Sequence, residues 1–136
     1  MSPTAMIPMN ELQALLYSLL STALDPTPVY DYVPESAPTD YVTLGEAFAT
    51  PDNDHYAFRW QILHTFHVWS RSRGWKVPLG TATDIVATLD HKRDIISIPG
   101  WHCVSIRFEQ VLTLRDPDPE IRHVPVQFRI TMEQEA

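Results

Sequence analysis

Glycine, cysteine and cation-rich segments are scarce in this sequence, and each scarcity removes a class of function. The four glycines stand apart from one another, so there is no glycine-rich loop of the kind that cradles phosphate. The single cysteine, Cys103, has no partner for an internal disulfide, which points to a reducing compartment or to a fold that does not depend on oxidation. No basic stripe interleaved with aromatics is available to track a nucleic acid backbone. The apolar segment Leu12 to Leu24 is short, carries polar residues and lacks a basic flank, so neither a signal peptide nor a membrane span is supported.

What is present suits one small globular domain. The chain has 136 residues, 44% hydrophobic and 20% charged, enough for a single core and too few for two. The net charge of −7 is unevenly placed. Between Met1 and Val68 stand Glu11, Asp25, Asp31, Glu35, Asp40, Glu46, Asp52 and Asp54 against one base, Arg59, while acids and bases balance in the remainder. An acidic surface disfavours contact with nucleic acid and suits a basic partner, or a wall that DNA passes without sticking. Plain solubility is the competing explanation.

Periodicity divides the chain into elements. Residues 1–9 carry two prolines and no period and read as a flexible arm, residues 10–132 as one domain, and 133–136 as a tail. Asn10 is placed to cap a helix from Glu11 to about Ala23, whose leucines at 12, 15, 16, 19 and 20 form one stripe. Strands are expected at Val29 to Val33, Asp40 to Phe48 and Phe58 to Ser70, with an exposed loop from Ala49 to Tyr56. The third strand has bulk on both faces, as a central strand would. A second helix carries Ala82, Ile85, Val86 and Leu89 on its apolar side.

The final third reads as a hairpin. Val104, Ile106, Phe108, Gln110, Leu112 and Leu114 alternate on one strand, and Val124, Val126, Phe128, Ile130 and Met132 on the next. Between them Arg115-Asp116-Pro117-Asp118-Pro119-Glu120 has turn chemistry. Pro125 cannot donate to a ladder, so the last strand is expected at an edge or bulged. The sum is an α+β fold: an antiparallel β-sheet of about four to five strands with two helices packed on one face.

Few residues suggest chemistry. His64 and His67 point to opposite faces of a strand, and so do His102 and Cys103, which works against a metal site. Cys103 at the head of an apolar strand reads as a small core residue rather than a nucleophile. Asp116 and Asp118 sit in an exposed turn where nothing desolvates either for acid–base work. Trp60, Phe66, Trp69 and Phe108 read as core, whereas Phe48, Tyr56 and Trp75 lie at strand or loop ends where a ring can anchor an interface.

The ordered series of segments resembles a known family. A leucine-rich first helix is followed by Val29-Tyr30-Asp31-Tyr32-Val33-Pro34, Ala37-Pro38-Thr39-Asp40-Tyr41-Val42-Thr43-Leu44-Gly45-Glu46 and His67-Val68-Trp69-Ser70-Arg71. A helix comes next, then Val104-Ser105-Ile106-Arg107-Phe108-Glu109, Leu114-Arg115-Asp116-Pro117-Asp118 and Ile121-Arg122-His123. Together they resemble the tail terminator, or tail completion (tail-to-head joining), proteins of long-tailed bacteriophages. The likeness spans about residues 10 to 132 and rests on the series, each motif being short. It departs where Gly74, Pro78 and Gly80 are expected to delay or break the second helix, and where Pro119 replaces an expected glycine.

The resemblance implies a structural virion protein of the tail or neck, assembled in the host cytoplasm, with no enzymatic activity, cofactor or metal and no membrane contact. It implies a homo-hexameric ring that caps the tail tube, ends tube polymerisation and joins the tail to the head. The implied partners are other copies of itself, the tail tube protein and a head-tail connector or stopper protein, with genomic DNA passing through the channel without specific binding. Phe48, Asp52, Asp54, Tyr56, Trp75, Arg115, Asp116 and Asp118 are the candidate contacts between subunits or with partners. Two alternatives stay open: a head-side connector or stopper subunit, and a small-ligand-binding α+β domain with the helices roofing a pocket.

Overall fold

Alternation of fully buried side chains at Val124, Val126, Phe128, Ile130 and Met132 makes the last strand the spine of the molecule. In the computed structural model, which describes residues 4–135, the elements run α1 (Met9–Ala23), β1 (Val29–Tyr30), β2 (Tyr41–Pro51), β3 (Arg59–Ser70), α2 (Lys76–Leu89), β4 (Trp101–Val111), β5 (Leu114–Arg115) and β6 (Arg122–Gln134). A 3₁₀ turn at Arg93–Ile95 leads into β4. Met1 to Pro3 and Ala136, the outer ends of the expected arm and tail, lie outside the described residues.

The strands form one sheet in the order β1-β2-β3-β6-β4, with β5 also paired to β6. All pairings are antiparallel except β1 with β2. The fold is thus the expected α+β, with more strands than expected. Ile62, Phe66 and Val68 of β3 join the β6 side chains in one buried layer. Leu12, Leu16 and Leu20 of α1 and Ile85 and Leu89 of α2 close over that layer. Helix α1 lies over β1 and β2, and α2 over β3, β6 and β4. The hairpin turning at Asp116 to Pro119 forms as expected, with Leu114 opposite His123 and Arg115 opposite Arg122.

Four expectations give way to local chemistry. Helix α1 starts two residues earlier than Asn10 would cap it. Pro8 stands at its N-cap with φ −88°, its carbonyl accepts from the Leu12 N–H, and no side chain caps the end. Nor do Gly74, Pro78 and Gly80 delay α2. Pro78 falls in the first turn, where a backbone N–H has no intrahelical partner to lose.

Strand β4 does not keep the alternation of Val104 to Leu114. Register shifts between Cys103 and Ser105 and between Phe108 and Gln110 turn its faces, so Trp101, Cys103 and Ile106 are buried while Gln110, Leu112 and Leu114 are exposed. Finally, Pro125 lies in an interior strand. Its carbonyl accepts from the Leu112 N–H on the β4 side, so the donor it lacks faces the place where β4 is leaving the sheet.

Among the buried polar side chains, His64 is the titratable one. His64 is 2% exposed and stacks on Phe66 with ring centroids 4.8 Å apart, and its Nδ1 has no hydrogen-bond partner among the described residues. Burial pushes its pKa down to about 4 from 6.5. Between those values the unfolded chain takes a proton that the folded chain refuses, so stability falls as pH falls through the window from 6.5 to about 4. The loss from this group alone is on the order of 3 kcal/mol. Urea unfolding at pH 7 and pH 4.5 should show His64→Phe losing markedly less stability than the wild type; equal losses would remove His64 as the source.

Candidate functional site

The eight candidate contact residues do not form one site. The register of β3 with β6 sets Arg59 opposite Glu133 and Ser70 opposite Arg122. The β2–β3 connection therefore lies at one end of the sheet and the Asp116 to Pro119 turn at the other. Twelve residues of β3 separate them, which is roughly 36 Å at about 3.3 Å per residue.

At the first end stand Phe48, Asp52, Asp54 and Tyr56. Asp54 builds the turn: its Oδ1 accepts from the N–H groups of Tyr56 and Ala57, both at 2.8 Å, and its Oδ2 pairs with Arg59 at 2.9 Å. Those two backbone donors, helped by Arg59, hold its carboxyl below the usual range. Asp52 accepts from Gln61 Nε2 at 2.9 Å. With the backbone polar groups satisfied, the rings are left outside, Tyr56 at 96% exposure and Phe48 at 67%. Two bare aromatics on a braced hairpin have the form of an anchor.

At the second end, Asp116 Oδ1 accepts from the Asp118 N–H at 3.0 Å, and Asp118 Oδ1 from the Glu120 N–H at 2.9 Å. Both aspartates therefore act as corner-formers. Asp118 and Glu120 share Arg71 at 3.4 Å. Trp75 packs against the core and is not a free ring. Arg122, which sequence reasoning passed over, lies across Trp75 and donates to the carbonyls of Pro119 at 2.7 Å and Arg73 at 2.8 Å, tying the turn to the segment before α2. Arg115, Asp116, Trp75 and Arg122 line a shallow cleft there with Pro119 and Ile121.

A further cluster was invisible in the sequence because its members are far apart in it. On the sheet face away from the helices, His67 Nε2 meets Glu46 Oε1 at 2.7 Å and His67 Nδ1 meets His123 Nε2 at 2.6 Å. An ionised Glu46 only accepts, so a neutral His67 carries its proton on Nε2 and accepts on Nδ1 from the Nε2–H of His123. The hydrogen bond from His67 lowers the pKa of Glu46, and burial, then the charge of His67, lowers that of His123. Trp69 stacks on His123 at 3.9 Å and donates to Thr43.

A bulge between Leu44 and Ala47 makes this cluster possible by leaving room at Gly45 for the His67 ring. Glycine inside a strand pattern was the one sequence signal for it. Elsewhere, Cys103 is buried with its thiol pushed up to about 11 by desolvation, which suits packing and not nucleophilic attack. Among the described residues no three His, Cys, Asp or Glu side chains converge as metal ligands would.

A family model described as tail completion protein gp17 matches residues 11–133. In fold the chain is similar to one in the structure of the virion of a native gene transfer agent particle, with a TM-score of 0.79 and 20% sequence identity, over 90% of this chain and 94% of that one. At that identity the likeness speaks for the fold alone. No curated protein matches the sequence.

Gly45 offers a direct check on the cluster. A Cβ there would stand 2.3 Å from His67 Cδ2 and 2.7 Å from the Thr65 carbonyl oxygen, and the second contact is with backbone that cannot swing aside. Gly45→Ala should cost about 1–3 kcal/mol in urea unfolding. It should also shift the imidazole NMR signals of both His67 and His123; unchanged signals would show that the ring does not depend on that space.

Proposed function

Because the chain belongs to the tail completion protein gp17 family, we propose that it is a structural component of a phage virion that assembles into a hexameric ring, caps the tail tube, stops its polymerisation and joins it to the head connector. The observation that carries this reading is the extent of the family match, residues 11–133, which takes in all but the first two residues of α1, the whole of α2 and nearly all of the sheet. The layout supports it. A subunit between two other assemblies needs two separate ends, and here a hairpin with exposed aromatics and a pinned corner stand at opposite ends of one sheet. In this reading the chain is not an enzyme, and its partners are its own copies, the tube protein and the connector protein.

Mass measurement of the purified chain, alone and with tail tubes, tests the role. A hexameric species or occupancy of one tube end supports it, whereas binding to the head and never to tubes would favour the stopper alternative. The tip carries a narrower expectation. If Asp52 and Asp54 face the channel or a neighbouring ring, the Asp52→Asn, Asp54→Asn pair should slow DNA passage or weaken joining while leaving the fold intact, because asparagine retains an acceptor for the turn. Infectivity equal to wild type would count against that placement.

The arm and tail are proposed to change state on assembly. The described part of the arm is held by few bonds: Gln134 Nε2 donates to the Thr4 carbonyl at 2.7 Å, the Met6 N–H to Gln134 Oε1 at 3.0 Å, and Trp60 Nε1 to the Met6 carbonyl at 3.0 Å. Limited proteolysis should clip residues 4–8 in the isolated subunit and spare them in the ring. Equal protection in both would reject the idea.

A further inference from the structure

The chain treats the two edges of its sheet differently. On the β4 edge the His91 N–H donates to the Ile106 carbonyl at 3.0 Å and Asp90 Oδ1 accepts from the Phe108 N–H at 2.8 Å, so backbone groups there are already bonded. On the β2 edge, β1 sets only Val29 beside Val42 and Tyr30 beside Thr43, and the chain then leaves the sheet at Asp31. Beyond that point β2 continues to Pro51 with no strand on its outer side among the described residues.

The ladder shows which groups are left open. The Asp52 N–H donates to the Arg59 carbonyl at 2.7 Å, and hydrogen-bonded pairs alternate along an antiparallel ladder. Phe48 and Thr50, opposite Leu63 and Gln61, therefore bond to β3, while Ala47 and Ala49, opposite His64 and Ile62, direct their N–H and C=O groups outward. The bulge between Leu44 and Ala47 bounds this stretch at one end, and Pro51, which has no N–H, bounds it at the other. Such a row of open groups is what an extended segment of about five residues pairs with when it adds a strand.

The surroundings specify the side chains of that segment. Ala47 and Ala49 share the helix-covered face with buried Ile62 and His64, and being small they leave space beside them. At the bulge end of this edge Asn10, Gln13, Ala14 and Tyr17 of α1 line an open depression with Leu44 and Asp31. On the uncovered face an added strand passes Phe48, 67% exposed, and then Glu46, which meets only His67. Asp31 has no ion-pair partner among the described residues. No lysine or arginine precedes Arg59 in the chain, and Arg59 is occupied by Asp54 at 2.9 Å. Apolar side chains in the middle and a cation at the bulge end complement this edge.

From this we infer that the open β2 edge takes up an extended apolar segment of another protein as an added strand, paired to the Ala47 and Ala49 backbone, with an apolar side chain on Phe48 and a lysine or arginine at Glu46 and Asp31. Strand addition here requires no ring, and its test is made on the single chain.

The probe is the acetylated, amidated peptide Lys-Val-Ile-Val-Lys, whose symmetry suits parallel or antiparallel entry. Added to the dilute full chain and followed by NMR, it should slow amide exchange at Ala47 and Ala49 and shift the Phe48 ring signals. The amides of Phe48 and Thr50, bonded to β3 throughout, serve as the internal reference. Ala49→Pro removes one outward donor where an edge strand tolerates proline, and should weaken binding about fivefold. The same peptide N-methylated at its central residues should not bind, and this arm leaves the protein unaltered. Glu-Val-Ile-Val-Glu should bind at least about tenfold more weakly, and Asp31→Asn, Glu46→Gln should narrow that difference. Unprotected Ala47 and Ala49 amides, or equal affinity for the N-methylated peptide, would overturn strand addition. Equal affinity for the glutamate peptide would overturn the basic partner. Protection that grows with protein concentration in the absence of peptide would assign the edge to a second copy and overturn the foreign segment.

Discussion

Everything in this fold leans on a sheet that is covered on one side only. Two helices close over the Ile62, Phe66, Phe128 and Ile130 layer, and no third layer exists behind the sheet among the described residues. The uncovered face must therefore keep its polar groups in contact with water or with one another. It does so largely through pairs between neighbouring strands: Thr131 to Gln61, Gln127 to Thr65, Arg129 to Glu109, and the Glu46–His67–His123 chain. Such pairs contribute fractions of a kcal/mol each, well below the apolar burial on the other side. What they supply is register, since a one-residue slip would send each member to the wrong face.

The same one-sidedness explains which parts of the fold were legible in the sequence. Where one face is buried and the strand is regular, period-2 alternation reports it directly, as at Val124 to Met132 and along β3. Asp-Pro-Asp-Pro was readable as a corner because its aspartates bond to backbone two residues on, a contact local in sequence. Strand β4 was misread at the two places where an extra residue resets the alternation, and nothing in Val104 or Glu109 announces a bulge. The α1 boundary was misplaced because a capping asparagine and an N-terminal proline compete for the same position, and only packing decides between them.

The exposure of the candidate residues was legible one by one, but their grouping in space was not. The exposed ring at Tyr56 follows from a loop with no apolar anchor, and Phe48 stands bare on β2 beside it. Trp75 is also a platform for Arg122, because a cation placed 47 residues downstream returns to lie over it. Glu46, His67 and His123 are likewise joined only by strand order. Sequence spacing reports neighbours within one element; it is silent on residues that meet across three strands.

Strand order also decides what a gradient of charge can mean. In a sheet that interleaved early and late strands, the anionic first half and the balanced second half would mix, and the surface would average out. Here the path β1-β2-β3 runs in chain order, and only the last two long strands exchange places. The gradient therefore survives folding and becomes a difference between left and right flanks. A contact that joins like surfaces pairs two copies back to back. Head-to-tail repetition needs unlike flanks, and here the difference between flanks arises from topology acting on composition.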